Sequence, residues 1–131
     1  MSQDPEPAAV DREVLDELER SVGDDRAFLR ELIETYLEDA PRQIASLRSG
    51  IVAGDVESTN RAAHTLKSTS ASIGALGLSA MARELQTMTA VETTSAADLN
   101  EPDVTALVDV IATEYESVRH ELESLVPLAT D

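Results

Sequence analysis

The chain has 131 residues, no cysteine and a formal net charge of −16 at pH 7. One domain of this size can fold without disulfides, and the lack of cysteine excludes thiolate metal sites and cysteine nucleophiles. The negative charge opposes binding to nucleic acid and to anionic membranes, because both are polyanions. No apolar run approaches the roughly 20 residues that cross a bilayer, and the N-terminus lacks the pattern of a signal peptide. We therefore expect a cytoplasmic protein with a protein partner.

The chain begins with a segment that lacks a helical pattern. Residues 1–10 are acidic and contain proline, and we predict a disordered arm there. Asp11 then fits an N-cap, and apolar residues at helical spacing lead to Gly23, which is typical of the end of a helix. This pattern predicts a short N-terminal helix.

The second predicted helix is the longest of the first half. Asp24 or Asp25 begins it, and apolar residues continue at spacings of three and four as far as Ile51. Pro41 lies inside this pattern, where it removes one backbone hydrogen bond. Two outcomes stay open: a kink in one long helix, or a break at Asp39 with a new helix that starts at Pro41.

Three more helices are predicted in the second half. Gly54 and Asp55 form a stop followed by an N-cap, Gly74 separates the third helix from the fourth, and Pro102 suits a first helical turn. Residues 91–101 lose the periodicity and form a loop. The three helices cover about 56–73, 78–88 and 102–126.

No segment alternates apolar and polar residues in the manner of a strand, so the predicted fold is all-α. Four helices are long enough for an antiparallel four-helix bundle, and the N-terminal helix is additional. The predicted domain spans residues 11–126, and residues 127–131 form a C-terminal tail.

The candidate functional residue is His64, one of two histidines in the chain. At 100° per residue it points well away from the apolar stripe of the third helix. Lys67, the only lysine, follows it by three residues, and Arg61 precedes it by three. Residues three apart on a helix are neighbours, so two cations flank this imidazole in a strongly acidic chain. The second histidine, His120, has no such surroundings and is expected to be a solvated surface residue.

Small side chains share the predicted face of His64. Asn60, Ser68 and Ala71 lie on it and leave a shallow surface on which a large partner could approach the imidazole. Gly74 and the small residues after it form a turn that allows the next helix to pack closely behind. We therefore assign these residues, together with Arg61, to a supporting or docking face and Gly74 to a structural turn.

The chemistry suits phosphoryl transfer. A neutral imidazole nitrogen accepts a phosphoryl group, and transfer requires mainly positioning and stabilisation of charge on the equatorial oxygens. Lys67 supplies such a charge one turn away. No glycine-rich phosphate loop or nucleotide motif is present. The expected protein is thus a phosphotransfer intermediate without kinase activity of its own.

Two other functions were compared with this one. A helical bundle of the same fold that only binds proteins, with no acceptor role for His64, stays open as the alternative. A carboxylate-bridged metal bundle needs Glu-x-x-His on its helices. Because Arg61 and Ser117 stand three residues before the two histidines, no metal site is predicted.

The stretch from His64 to Gly74-Ala75 resembles the signature of histidine-containing phosphotransfer (HPt) domains, which runs His-x-Leu-Lys-Gly-x-Ser with Gly-Ala a few residues later. Residues 28–33, Pro41 and Gly54-Asp55 also look like that family. The resemblance covers about residues 11–125.

The resemblance implies an antiparallel four-helix bundle with His64 exposed midway along one helix. His64 would carry the phosphoryl group as phosphohistidine in a two-component phosphorelay and exchange it with an aspartate of a response-regulator receiver domain, with Lys67 beside the phosphoryl group. A monomer is expected, with a receiver domain or a hybrid histidine kinase as partner. The chain would have no cofactor, and the receiver would bring Mg²⁺. Ser68 departs from the usual Gly, and its hydroxyl either bonds the phosphoryl oxygens or narrows the docking site.

Overall fold

The computed structural model describes residues 8–125, and every regular element in that range is helical. Within it, no helix is both long and apolar enough to cross a membrane. The elements are α1 (Arg12–Ser21), α2 (Arg26–Ala53), α3 (Val56–Ser72), α4 (Leu76–Met88), a 3₁₀ segment (Ala96–Asn100) and α5 (Pro102–Leu125). The all-α prediction is confirmed, and the predicted loop between α4 and α5 contains the short 3₁₀ segment.

Aspartate side chains begin the first three helices. The carboxylates of Asp11, Asp25 and Asp55 accept hydrogen bonds from backbone amides in the first turns of α1, α2 and α3. Each bond satisfies a donor that has no partner within the helix. The predicted caps are confirmed, with Asp25 rather than Asp24 at the start of α2. Gly54 ends α2 in the left-handed conformation, with φ +68°, as a glycine at this position predicts.

Helix α2 continues through Pro41 without a break. The predicted alternative of a break at Asp39 is wrong. Pro41 itself is exposed, while Tyr36, Ala40 and Ile44 form one buried stripe on both sides of it. Packing of this continuous stripe offsets the one hydrogen bond that proline removes.

Helices α2 to α5 form a four-membered ring in which each helix packs against the next and α5 packs against α2. Side-chain contacts show that the neighbours run antiparallel. Tyr36, early in α2, shares a 2.9 Å hydrogen bond with Ser70, late in α3. Arg48, late in α2, pairs at 3.0 Å with Asp109, early in α5. The predicted antiparallel four-helix bundle is confirmed, and α1 packs on it as the additional helix.

The core of the bundle is aliphatic apart from two tyrosines. The rings of Tyr36 and Tyr115 lie 6.2 Å apart between centroids. Burial raises the pKa of Tyr36 above its usual range and that of Tyr115 to about 12, so both hydroxyls stay protonated in the core. The largest fully buried aliphatic side chains are Ile33, Leu47, Leu66, Leu78, Leu85, Leu99, Ile111 and Leu122.

The N-terminal boundary of the bundle differs from the prediction. Residues 1–7 of the predicted disordered arm, and the tail at 127–131, lie outside the described residues. Val10, however, is fully buried. The amides of Ala9 and Val10 donate to the carboxylate of Glu121 on α5 at 2.7 and 3.0 Å. The prediction that the arm extends to residue 10 is therefore wrong, because these long-range bonds attach its last residues to the bundle.

The turn between α3 and α4 depends on Gly74. Its φ is +91°, a region that residues with a Cβ rarely adopt. The amide of Asp11 donates to the Gly74 carbonyl at 2.8 Å. The turn therefore joins α3 to α4 and, through this hydrogen bond, also holds Asp11, the N-cap residue of α1.

Gly74→Ala should lower the free energy of unfolding by about 2 kcal/mol, because the new Cβ is strained at this φ and would lie 2.8 Å from the Asp11 carbonyl oxygen. Urea unfolding measures the change. Gly77→Ala is the matched control, since its Cβ would lie 3.5 Å from Glu114 and alanine in a helix gains about 0.5–1 kcal/mol over glycine. Equal effects of the two substitutions would contradict this account.

Candidate functional site

His64 lies in the middle of α3 on its outer side. The side chains of Ala63 and Leu66 are fully buried in the core, whereas His64 is exposed. The difference follows from the helical repeat, which turns residue 64 away from the side of α3 that faces the bundle. The imidazole is thus accessible to another protein.

A glutamine on the neighbouring helix contacts the imidazole. The side-chain amide nitrogen of Gln86, on α4, lies 3.0 Å from Nδ1 of His64. With the amide nitrogen as donor, Nδ1 accepts the bond and the proton of the neutral imidazole lies on Nε2. With the amide oxygen in its place, Nδ1 carries the proton and Nε2 carries the lone pair. Gln86 is not among the site residues that the sequence predicts. Its contact with His64 depends on how α3 and α4 pack, which the sequence does not state.

Lys67 lies one turn after His64 and is half-buried. Its backbone carbonyl accepts a 2.8 Å hydrogen bond from the hydroxyl of Ser79 on α4. Two hydrogen bonds therefore join α3 to α4, one at His64 and one at Lys67. They fix the register of α4 against the turn of α3 that runs from His64 to Lys67.

An open depression adjoins this surface between α3 and α4. Its α3 side is formed by Lys67, Ser68 and Ala71. The residues that line it from the start of α4 onward are Leu76, Ser79, Ala80 and Arg83. Most of these side chains are small, as predicted for Ser68 and Ala71. Arg83 was not identified from the sequence, because nothing in its local pattern relates it to α3.

The side chain of Asn60 contacts the end of the neighbouring helix. Its side-chain amide donates to the carbonyl of Gln86 at 2.9 Å and to the carbonyl of Thr89 at 3.2 Å. Gln86 lies in the last turn of α4 and Thr89 is its C-cap, where helix carbonyls lack their usual donors; the Gln86 carbonyl also accepts from the Thr89 amide at 3.3 Å. Asn60 therefore caps α4 from α3, and its part in the docking face stays a prediction.

Arg61 and His120 occupy exposed positions. Arg61 forms a 3.9 Å ion pair with Glu57 one turn earlier, a contact that adds little to stability when both groups are solvated. His120 lies on α5 next to Arg119, which pairs with two glutamates of its own helix. Arg61 therefore lies one turn before His64 on α3, whereas His120 lies on another helix.

Asn60→Ala should lower the free energy of unfolding by about 1–2 kcal/mol, because the Thr89 carbonyl loses the Asn60 donor and the Gln86 carbonyl keeps only the Thr89 amide at 3.3 Å. Thermal and urea unfolding measure the loss. Thr87→Ala is the control, since its hydroxyl bonds only the Arg83 carbonyl within α4. If Asn60→Ala and Thr87→Ala are equally stable, the capping role of Asn60 is wrong.

Comparison with known proteins identifies the family. A family profile described as the Hpt domain matches residues 31–125. The fold is similar to histidine-containing phosphotransfer protein B (HptB) from Pseudomonas aeruginosa PAO1, with a TM-score of 0.79 and 23% identity over 96% of this chain and 100% of that chain. It is also similar to the HPT domain of the Hpt sensor hybrid histidine kinase from Shewanella, with a TM-score of 0.63 and 18% identity over 86% of this chain and 94% of that one.

No curated protein sequence matches the chain. At these identities the two structures establish the fold alone, and the profile establishes the family. Because residues 31–125 make up most of α2 and all of α3 to α5, the chain belongs to the Hpt domain family of histidine-containing phosphotransfer domains.

Proposed function

We propose that this chain is a phosphorelay intermediate of two-component signal transduction that accepts a phosphoryl group on His64 and exchanges it with an aspartate of a response-regulator receiver domain. The match of residues 31–125 to the Hpt domain, a range that includes the exposed His64, supports this proposal. A pure interaction module of the same fold stays the alternative, and phosphorylation of His64 separates the two.

The contact with Gln86 bears on which nitrogen reacts. A neutral imidazole has one nitrogen that carries a proton and one that carries a lone pair. An amide side chain can present either its nitrogen or its oxygen, which are assigned from the hydrogen-bond pattern. If the Gln86 oxygen accepts a bond from Nδ1–H, the lone pair lies on Nε2 and faces a partner. We infer that this arrangement is the reactive one.

The transfer step needs little from the chain beyond this arrangement. The Nε2 lone pair of His64 attacks the phosphorus of the receiver's aspartyl phosphate. A P–N bond forms, the P–O bond to the carboxylate breaks, and the carboxylate leaves with the electron pair. Lys67, one turn away, stabilises charge on the phosphoryl oxygens. The same steps run in reverse when the phosphoryl group returns to an aspartate.

The partner supplies the remainder of the active site. We propose that the receiver domain contributes the reacting aspartate and the Mg²⁺, and that this chain contributes neither kinase activity nor a nucleotide site. One structure similar to this chain is a domain of a sensor hybrid histidine kinase, so a hybrid kinase is a candidate partner alongside a separate receiver. Arg61 and Lys67, one turn before and one turn after His64, favour an acidic pocket on the partner as the docking site, whereas the net charge of −16 opposes an acidic partner at long range.

His64→Gln should abolish phosphoryl uptake from a phosphorylated receiver domain and change stability by only about 0.5 kcal/mol, because the side chain is exposed. Label transfer on gels, followed by an acid-lability test, measures the uptake. His120→Gln is the matched control and should transfer at the rate of the unsubstituted chain. Acid-labile label on the His64→Gln variant, or loss of label from the His120→Gln variant, would show that His64 is not the acceptor.

Ser68→Leu should block transfer between proteins and leave labelling by phosphoramidate unchanged, because a bulky side chain at this exposed position excludes only the large partner. Ser68→Gly should keep transfer within about threefold, at a stability cost of roughly 0.5–1 kcal/mol for glycine in a helix. Receiver-driven and phosphoramidate-driven labelling are compared for both variants. If the receiver labels Ser68→Leu at the normal rate, the docking face lies elsewhere. If Ser68→Gly is inactive, the Ser68 hydroxyl takes part in the chemistry.

A further inference from the structure

Three residues of α4 form a stripe that faces α3 at the level of the imidazole. Ser79, Arg83 and Gln86 are separated by four and three residues, so they lie on one side of the helix. The hydroxyl of Ser79 bonds the Lys67 carbonyl at 2.8 Å, and Gln86 lies 3.0 Å from Nδ1 of His64. Because both ends of the stripe are tied to α3, Arg83 between them lies opposite the turn that joins His64 to Lys67.

We propose that Arg83 is a second cation for the phosphoryl group of His64, which it approaches from α4 while Lys67 approaches from α3. This inference rests on the proposed function, since it requires His64 to be the acceptor. A phosphoryl group held between two helices would then have a positive charge on each side. The planar guanidinium provides two parallel donors that match phosphoryl oxygens, whereas an ammonium acts as a point charge.

The surroundings of Arg83 favour this role. Its side chain is exposed and lines the depression that Lys67 and Ser68 also line. Within residues 8–125 it takes part in no ion pair, whereas Arg61 is paired with Glu57. Its charge is therefore available to a group that arrives on this surface.

The charge of the whole chain favours such a cation. Phosphorylation adds between one and two negative charges to a chain whose formal net charge is already −16. The field of the protein therefore opposes the phosphorylated state, and only nearby positive groups can offset this repulsion. Lys67 is the only lysine of the chain, so a second cation at this level has to be an arginine.

Labelling of the full chain with phosphoramidate tests the proposal without a partner. In that reaction Nε2 of His64 forms a P–N bond, the P–N bond of phosphoramidate breaks, and ammonia leaves after taking up a proton. Arg83→Ala should slow this labelling about three- to tenfold, less than the loss of one donor costs in a closed site. Arg83→Lys should be intermediate, because it keeps the charge but not the paired donors. Lys67→Ala serves as the reference for the loss of one cation.

The matched control is Arg48→Ala, which removes the same charge from the α2–α5 side of the bundle, where Arg48 pairs with Asp109. It should label at the rate of the unsubstituted chain. Titration of the phosphorylated proteins by ³¹P NMR gives a second readout. Loss of a cation that touches the phosphoryl group should raise the pKa of that group by about half a unit, as expected for one nearby opposite charge in water. Arg48→Ala should leave the pKa of the phosphoryl group unchanged.

The outcomes separate the two proposals. If the unsubstituted chain takes no label on His64, the proposed function fails and this inference fails with it. If that chain is labelled but Arg83→Ala matches Arg48→Ala in both rate and phosphoryl pKa, this inference alone is overturned. Slow labelling of Arg83→Ala by a receiver with a normal rate from phosphoramidate also overturns it, because Arg83 then contacts the partner rather than the phosphoryl group. Circular dichroism establishes whether each variant is folded. If Arg83→Ala is not folded, the comparison with Arg48→Ala is made with Arg83→Lys.

Discussion

The packing of α3 against α4 decides where every group at the candidate site lies. Three side-chain contacts cross this pair of helices: Asn60 to the end of α4, Gln86 to His64, and Ser79 to the Lys67 carbonyl. Together they prevent the helices from sliding by a turn, which would move Gln86 about 5 Å away from the imidazole. The two helices are joined by only three residues, so the turn at Gly74 limits the same motion. The function we propose therefore depends on helix register more than on any single residue.

A second constraint is electrostatic. The chain carries many more acidic than basic groups, yet Lys67 and Arg83 line one depression beside His64. A long-range negative field keeps polyanions away, while under the proposed function the short-range cations would stabilise the phosphoryl group that His64 accepts from a docked partner. The combination favours transfer within a docked complex over capture of free phosphate, because only a docked partner brings the group inside the range of the local charges.

The sequence predicted the parts of this structure that local interactions determine. Asp55 and Gly54 mark helix ends through contacts within a few residues, and the outward position of His64 follows from helical periodicity alone. The contact of Gln86 with His64 joins residues 22 apart in the chain, and that of Val10 with Glu121 joins residues 111 apart. Such pairs depend on helix register and on the direction of side chains from another element. No pattern within one helix predicts them.

The position of the imidazole also explains why so little of the chemistry resides in this chain. An exposed side chain on a helix is held by its backbone and by one neighbour, here Gln86, and it is not enclosed by a cavity that excludes water. Strong electrostatic catalysis requires a site from which water is excluded. Under the proposed function, His64 would reach such conditions only when a partner covers it. The chain would then hold half of an active site, and the small exposed side chain of Ser68, one turn after His64, would let the other half come close enough for a nitrogen and a carboxylate oxygen to share one phosphorus.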